Sequence, residues 1–374
     1  MTRSLFFSGL IICSAAGAQV LPEERADVLY HSYDGGGVQV DGPSLLLRKN
    51  FGESFSVYGN YYVDSVSSAS IDVVSTASPY AESREQKSVG VDYLHGKNTI
   101  SLSLSNSDEN DYTANSANFS VSHTMFGSLT TVTMGYSQAR DEIRRNNDAS
   151  FQADVDRRHF RLGLSQILTP KLLMGLSVEA ITDEGFLNNP YRAVRYLDSA
   201  NGSGYSYEPE LYPNTRTSNA IALRGQYRLP YRAAVKGEYR YFEDTWGIEA
   251  KTAELSYVHP FKDRWTFDLR VRNYGQNSAD FYRDLFGRSE ELNFRARDKE
   301  LSTFGSQMFG VGVSYEFIQK SWGIAERGSL NLQFDHFMFD YDDFRDVTAD
   351  GAPGTEPLYE FAANVLRIYV SVWF

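Results

Sequence analysis

The chain has 374 residues, of which 48 are acidic and 36 basic, so its net charge at pH 7 is −12. An acidic chain lacks the basic surface that phosphate backbones require, which argues against a nucleic-acid partner. No run of 18 or more apolar residues occurs, which excludes helical membrane spans. The 25 Tyr and 24 Phe residues are many for a water-soluble acidic protein, whereas membrane barrels use them on the lipid face and in interfacial girdles.

The first segment, residues 1–18, has the pattern of a secretory signal peptide. Arg3 supplies the positive charge, Leu5 to Ile12 form a short apolar core, and Ala16 to Ala18 offer small residues for cleavage. We therefore predict a mature chain of residues 19–374 that forms a single domain. Cys13, the one cysteine of the sequence, lies in the removed segment, so thiolate catalysis and thiolate-held cofactors are excluded.

The mature chain contains about sixteen stretches in which apolar and polar residues alternate. Successive side chains of a β-strand point to opposite faces, so this alternation predicts strands with one apolar face. The stretches extend to about ten residues, the length of a tilted strand that crosses a bilayer. They contain residues 27–33, 38–48, 54–66, 87–95, 99–107, 117–121, 132–136, 160–164, 172–178, 221–229, 235–241, 255–257, 265–271, 309–317, 330–334 and 364–374.

Short turns and long polar connections alternate between these stretches. The long connections are residues 67–86, 140–156, 183–217, 275–302 and 340–359. Outer-membrane barrels have short periplasmic turns and long extracellular loops. The sequence therefore predicts an all-β fold, a transmembrane antiparallel β-barrel of about 16 strands with both termini in the periplasm.

The last stretch has the pattern of a barrel assembly signal. Ile368, Val370, Val372 and Phe374 fall on one face, and the chain stops on the aromatic residue. The closing strand of an outer-membrane barrel resembles this pattern. An edge strand of a soluble β-sandwich is the alternative interpretation.

Residues 31–43 and 61–73 resemble the opening part of an uncharacterised proteobacterial family of predicted outer-membrane proteins, a domain of unknown function. The resemblance covers residues 24–374. It implies a barrel in the cell outer membrane, in contact with outer-membrane lipid and the barrel-assembly machinery, and it implies no settled activity. The association of this family with genes for a flavin transferase and a small lipoprotein suggests a small lipoprotein or a flavin-bearing redox protein as partner.

Charged side chains occupy the polar face of the middle strands, which would line the barrel lumen. The six basic and three acidic residues are Arg224, Arg228, Lys236, Glu238, Arg240, Glu254, Asp268, Arg270 and Arg272. The basic excess predicts an anion-preferring constriction or a docking surface for an acidic plug. Cross-strand charge pairing that stiffens the lumen is the alternative interpretation.

Two short segments offer oxygen ligands of the kind that calcium prefers. Asp34 and Asp41 flank Gly35 to Gly37, and residues 340–343 form an acidic loop. The glycines serve equally well in a tight turn, and charged loops are commonly just solvated. We expect no resident cofactor.

Enzyme motifs are absent from the sequence: there is no phosphate loop, zinc-binding cluster or serine elbow. His31 and Ser32 are adjacent in a predicted strand and point to opposite faces, so they form no nucleophile–base pair. We therefore predict a porin-like conduit for small polar solutes. The alternatives are a sheath or scaffold for an extracytoplasmic electron-transfer or secretion partner, and an outer-membrane enzyme at the barrel rim.

Overall fold

The computed structural model describes residues 20–68, 80–146, 148–318 and 322–374. The predicted signal peptide and Cys13 lie outside this range. The described part of the chain contains no helix that could span a bilayer.

The described residues form strands and one short 3-10 helix, Lys299–Leu301. The strands are β1 (Arg25–Gly35), β2 (Val38–Phe51), β3 (Phe55–Ser68), β4 (Tyr80–His95), β5 (Asn98–Asp108), β6 (Tyr112–Met125), β7 (Thr130–Arg145), β8 (Asp148–Thr169), β9 (Leu172–Gly185), β10 (Ala193–Leu197), β11 (Tyr205–Pro209), β12 (Thr215–Arg228), β13 (Ala234–Asp244), β14 (Glu249–Phe261), β15 (Trp265–Gln276), β16 (Phe304–Ile318), β17 (Arg327–Arg345) and β18 (Leu358–Trp373).

All of these strands except β10 and β11 join in one closed antiparallel barrel. Its sixteen strands follow one another in chain order, and β1 pairs with β2 on one side and with β18 on the other. The closing register runs from Arg25 opposite Trp373 to Gly35 opposite Ala363. The predicted fold class is thus confirmed, and the last predicted strand is the one that closes the barrel.

The barrel wall has an apolar outer face and a polar inner face. On β5, Leu102 and Leu104 are exposed on the outside, and Phe119 of β6 lies beside Leu102. The alternate residues of the same strands, such as Ser103 and Ser105, point inward. This arrangement reverses that of a water-soluble domain and suits a barrel surrounded by hydrocarbon.

The two ends of the barrel differ in their connections. At the end that holds both termini of the described chain, here called the terminal end, most turns are short, as at residues 96–97 and 170–171. The opposite end, here called the loop end, carries the long connections 186–214, 277–303 and 346–357. It also carries the β1–β2 turn, where Gly36 and Gly37 have φ values of 59° and 75°. Two successive positive φ values define a tight hairpin turn that favours glycine.

One predicted connection is wrong. The stretch 140–156 is mostly a hairpin, because β7 runs to Arg145 and β8 begins at Asp148. Among its inward residues, Asp141 forms an ion pair with Arg157, and Ile143 and Val155 are buried. Its outward residues, such as Arg140, are polar, as expected where strands extend beyond the bilayer, so the alternation of apolar residues fades there.

Two other connections differ from the prediction in detail. The connection after β9 contains a separate two-stranded sheet of β10 and β11, which the sequence analysis missed. In the connection predicted for residues 67–86, β3 ends at Ser68 and β4 begins at Tyr80, and residues 69–79 lie outside the described range.

The two faces of β5 give a matched test of which one contacts lipid. We expect Leu102→Arg to destabilise the barrel by about 2–4 kcal/mol, since a charge would sit in the middle of the apolar face. The neighbouring inward change, Ser103→Arg, should be tolerated. Urea unfolding in lipid vesicles, followed by gel mobility of unheated samples, measures both, and equal destabilisation by the two changes would contradict the assignment of faces.

Candidate functional site: the lumen and its cap

The charged residues predicted for the lumen do lie on the inner face, and most of them are paired. Arg224 of β12 donates to Glu238 of β13 at 2.6 Å, and Arg270 contacts Asp268 at 3.0 Å on β15. Glu254 and Arg272 are opposite each other in the β14–β15 register. Cross-strand pairing, the alternative interpretation of these residues, therefore describes the geometry.

Two carboxylates that the sequence analysis did not include complete this network. Asp335 of β17 accepts from Arg270 at 2.9 Å and also from Arg367 of β18. Glu179 of β9 lies 3.3 Å from Arg161 and 3.6 Å from Arg240. Both carboxylates point inward from β9 and β17, two strands that contribute no residue to the predicted lumen set. The excess of basic residues in that set is therefore confined to β12–β15.

Arg228 and Lys236 differ from the other predicted lumen residues in their greater exposure. Both lie toward the terminal end of β12 and β13, opposite Ala234 and Gln226 respectively, and both are exposed. No ion pair within the described range involves either residue. They are therefore the basic groups of the predicted set that a solute at this end of the lumen can reach.

The wall formed by β5, β6 and β7 is uncharged over most of its inner face. Its side chains are small and carry hydroxyl groups that bond across the strands: Ser105 with Ser116 at 2.6 Å and Ser122 with Thr133 at 2.9 Å. The lumen thus has one wall of paired charges, around β12 to β18, and one of small hydroxyl groups.

Three long connections fold together over the loop end. Residues 186–214, 277–303 and 346–357 are here called the cap. An apolar cluster joins the cap to the strands. Tyr212, Phe281 and Tyr282 of the cap pack against Trp246 of the β13–β14 connection and Tyr341 of β17. Backbone hydrogen bonds link the first two connections, including Leu197 N–H to Phe286 O at 2.9 Å. The cap is therefore a packed structure rather than a set of separate solvated loops.

A buried arginine holds the three parts of the cap together. Arg195, on β10, has no exposed surface. Its guanidinium group forms ion pairs with Asp284 of the second connection and Glu356 of the third, and its Nε donates to Asp284 O at 3.0 Å. Arg297 also contacts Asp284, at 2.9 Å. A buried charge that loses its partners is strongly destabilising, so this contact locks the cap.

A second buried group of the cap, Glu210, is sensitive to pH. Burial and then the neighbouring Asp298 raise the pKa of Glu210 to about 7, against the opposing effect of Arg192. Its carboxyl group accepts hydrogen bonds from Tyr212 Oη at 2.6 Å and from Arg297 N–H at 2.7 Å. The folded cap therefore favours the protonated form of Glu210.

A cavity of about 460 Å³ lies between the cap and the inner face of the strands. Three arginines, Arg157, Arg216 and Arg240, line it together with the aromatic side chains of Trp246 and Tyr274. Arg216 lies over the Trp246 ring and donates to Asp244 at 2.8 Å. The space can hold a small polar molecule, since ligand sites have volumes of about 300–1,000 Å³.

The metal-ligand candidates Asp34 and Asp41 do not meet in a cluster. In the β1–β2 register Asp34 faces Gln39 and Asp41 faces Ser32, and Asp41 accepts from Tyr30 Oη at 3.3 Å. Residues 340–343, predicted as an acidic loop, belong to strand β17 instead. Asp343 accepts from Thr303 N–H at 2.8 Å, so this side chain anchors the cap. A cluster of carboxylates that the sequence analysis missed lies elsewhere at the loop end, at Glu82, Glu109 and Asp111.

Residues 70–329 match a protein family described as "Protein of unknown function (DUF3570)". A search of curated proteins finds no match.

The similar solved structures include a bacterial polysaccharide outer membrane secretin, with a TM-score of 0.50, 8% identity, and 95% of this chain and 100% of that chain covered. They also include the CymD monoaromatic hydrocarbon channel, with a TM-score of 0.44, 10% identity, and coverage of 95% and 89%. OccK2 of Pseudomonas aeruginosa in complex with glucuronate has a TM-score of 0.43, 10% identity, and coverage of 95% and 99%. At these identities such a likeness concerns the fold alone.

Removing the central arginine of the cap should loosen the cap and leave the barrel intact. We expect Arg195→Met to raise the rate of chymotrypsin cleavage in the cap at least tenfold, because Asp284 and Glu356 lose their buried partner and the aromatic cluster opens. Arg288→Met, at an exposed position of the same cap, is the control. Intact-mass analysis of the fragments measures the effect, and wild-type resistance in Arg195→Met would contradict the lock.

The raised pKa of Glu210 predicts that the cap weakens as pH rises. The stabilisation from protonated Glu210 is fully present when the pH is below 4.5, the ordinary pKa of the group. It is lost as the pH rises from there through the raised pKa of about 7. Tryptophan fluorescence during heating, recorded from pH 5 to 8, should show this decline in the wild type and in Glu290→Gln. It should be absent in Glu210→Gln, and an unchanged pH profile in that variant would refute the assignment.

Proposed function

Because the chain belongs to the DUF3570 family, whose function is unknown, we propose a function from its architecture: an outer-membrane conduit for small polar solutes that the cap keeps closed. The family match over residues 70–329 agrees with the predicted family, an outer-membrane family of unknown function. Residues 31–43, which carried part of the resemblance, lie outside the matched range. The suggested flavin-bearing or lipoprotein partner stays a prediction.

The observation that carries this proposal is the reversed polarity of the barrel. Leu102, Leu223 and Leu269 are about half exposed on the outer face, whereas the inner face holds ion pairs and hydroxyl groups. A closed barrel leaves no unpaired strand edge in hydrocarbon, and a polar interior is typical of barrels that carry solutes. These features support a location in the outer membrane with the loop end at the cell surface.

The pairing of charges supports weak ion selectivity. Arg224 and Arg270 each contact a carboxylate in the lumen, so the field that a passing ion meets is smaller than the basic residues alone would produce. Arg228 and Lys236 keep a modest preference for anions near the terminal end. Salt should screen this preference, because the Debye length falls to about 3 Å at 1 M.

The cap supports a conduit that opens only when the cap moves. Its apolar cluster packs against Phe304, Phe339 and Phe361 on the inner faces of three strands. A solute that enters from the loop end must pass this region and the cavity beneath it. The proposed function therefore includes displacement of the cap.

Conductance and solute flux test the proposal together. In planar bilayers the wild type should conduct rarely, and Arg195→Met should conduct in long openings, with at least a tenfold higher mean current. Proteoliposomes containing Arg195→Met should swell in an uncharged monosaccharide. The control, Arg232→Gln, changes an exposed residue of a terminal-end turn and should behave as the wild type. Absence of conductance and swelling in both wild type and Arg195→Met, with both proteins folded, would overturn the conduit.

A charge change in the lumen tests the path of the ions. Replacing Arg228 and Lys236 together by Gln should shift the reversal potential in a salt gradient toward cations, because it removes two accessible positive charges. The control is again Arg232→Gln. An unchanged reversal potential in an open Arg195→Met background would show that ions do not pass these side chains.

A further inference from the structure

Three carboxylates converge at the loop end on the side of the barrel away from β18. Glu82 lies at the start of β4, and Glu109 and Asp111 belong to the connection between β5 and β6. One carboxylate oxygen of each lies within 4.8 Å of the others. The cluster joins two neighbouring hairpins and lies outside the set of lumen charges described above.

Two oxygens of this cluster are buried without any hydrogen-bond donor. Asp111 is only 3% exposed, and its Oδ1 atom and the Oε1 atom of Glu82 are inaccessible and lack a hydrogen-bond partner within the described range. The other oxygen of Asp111 accepts from Tyr191 Oη at 2.6 Å. Arg84 Nε lies 3.8 Å from Glu109 Oε1, which is too far for a hydrogen bond.

Asp111 is buried and the other two carboxylates are half-buried. Carboxylates at this spacing and with this little solvent repel one another unless a positive charge or a proton lies between them. Two oxygens on opposite sides of a Ca²⁺ ion, each at about 2.4 Å, are about 4.8 Å apart. Three carboxylates supply between about three and six oxygens, and water completes the six to eight that Ca²⁺ takes. Mg²⁺ requires a stricter octahedron and keeps more of its water, so it suits buried carboxylate oxygens less well.

We infer that Glu82, Glu109 and Asp111 form a Ca²⁺-binding site that fastens the cap to the β4–β6 rim of the barrel. This inference rests on the geometry of the cluster and does not depend on the proposed conduit.

The link to the cap runs through one side chain. Tyr191 belongs to the first cap connection, and its hydroxyl group donates to Asp111 and accepts from Asn146 N–H at 2.9 Å. The adjacent Pro190 O accepts from Arg145 at 2.9 Å. A cation that fixes Asp111 therefore also fixes the position of Tyr191, and binding should protect the cap.

Calcium binding is measured on the full-length protein in detergent after treatment with a chelator. Isothermal titration with CaCl₂ should show one saturable site in the wild type. Glu82→Gln with Asp111→Asn should weaken the affinity at least tenfold, because two ligands lose their charge. The matched control, Asp340→Asn with Asp342→Asn, removes two exposed loop-end carboxylates and should keep the wild-type affinity.

Terbium provides a second readout, since a nearby tyrosine sensitises its luminescence. Tyr191→Phe should keep the affinity for Ca²⁺ within about threefold, because Tyr191 is not a ligand, and should reduce terbium emission. It should also abolish the protection of the cap from chymotrypsin that Ca²⁺ gives the wild type. Gel mobility of unheated samples confirms that each variant contains a folded barrel.

Three results would overturn the inference. The first is wild-type protein that binds neither Ca²⁺ nor Tb³⁺. The second is equal affinity in the Glu82 and Asp111 variant and the wild type. The third is an equal loss of affinity in the control variant, which would indicate general attraction to an acidic surface. If Arg195→Met conducts as proposed in any of these cases, only the inference of a cation site is overturned, and the proposed conduit is unaffected.

Discussion

The pairing of β1 with β18 is the contact on which the rest of the structure depends. It joins the first and last strands of the barrel over eleven residue pairs, from Arg25 and Trp373 to Gly35 and Ala363. Without it the sheet would have two free edges, and unpaired backbone groups are not tolerated in hydrocarbon. Closure also fixes the inner and outer faces of the strands, and so determines which charges meet in the lumen. The cap in turn requires the closed rim, because it packs against the inner faces of β13, β16, β17 and β18.

The interior of the barrel balances its charges at short range. Asp335 of β17 accepts from Arg367 on the neighbouring strand β18 and from Arg270 on β15, two strands away. Glu179 lies near arginines of β8 and β13. Pairs of this kind hold side chains in place, which narrows the lumen and stiffens its wall. A weak excess of charge remains where Arg228 and Lys236 face open solvent. The uncharged hydroxyl wall of β5 to β7 adds a surface that can bind a polar solute without attracting an ion.

The sequence predicted the barrel because the relevant signal is local. Alternation of apolar and polar residues gave each of the sixteen strands its approximate position, and the number of strands is confirmed. The prediction failed at residues 140–156 because strands that extend past the lipid lose their apolar outer face.

The site was predicted less completely, because its contacts join distant parts of the chain. The lumen arginines were recognised, but Glu179 and Asp335 were not. Each lies two strands away from its arginine, Arg240 or Arg270, and the registers of two successive strand pairs bring them together. No sequence motif marks Arg195 or the cluster of Glu82, Glu109 and Asp111. The prediction that the protein is not an enzyme stays untested.

The Arg195 contact also has a consequence for the order of events during biogenesis. Its two partners, Asp284 and Glu356, are 89 and 161 residues further along the chain, and the second lies just before the closing strand. Contacts between such distant residues form late, because much of the chain must first be ordered. A chain arrested with the barrel open would leave the cap unassembled, with Phe281, Tyr282 and Phe286 accessible to chaperones and proteases. The same salt bridges that complete the mature protein thus distinguish finished molecules from stalled ones.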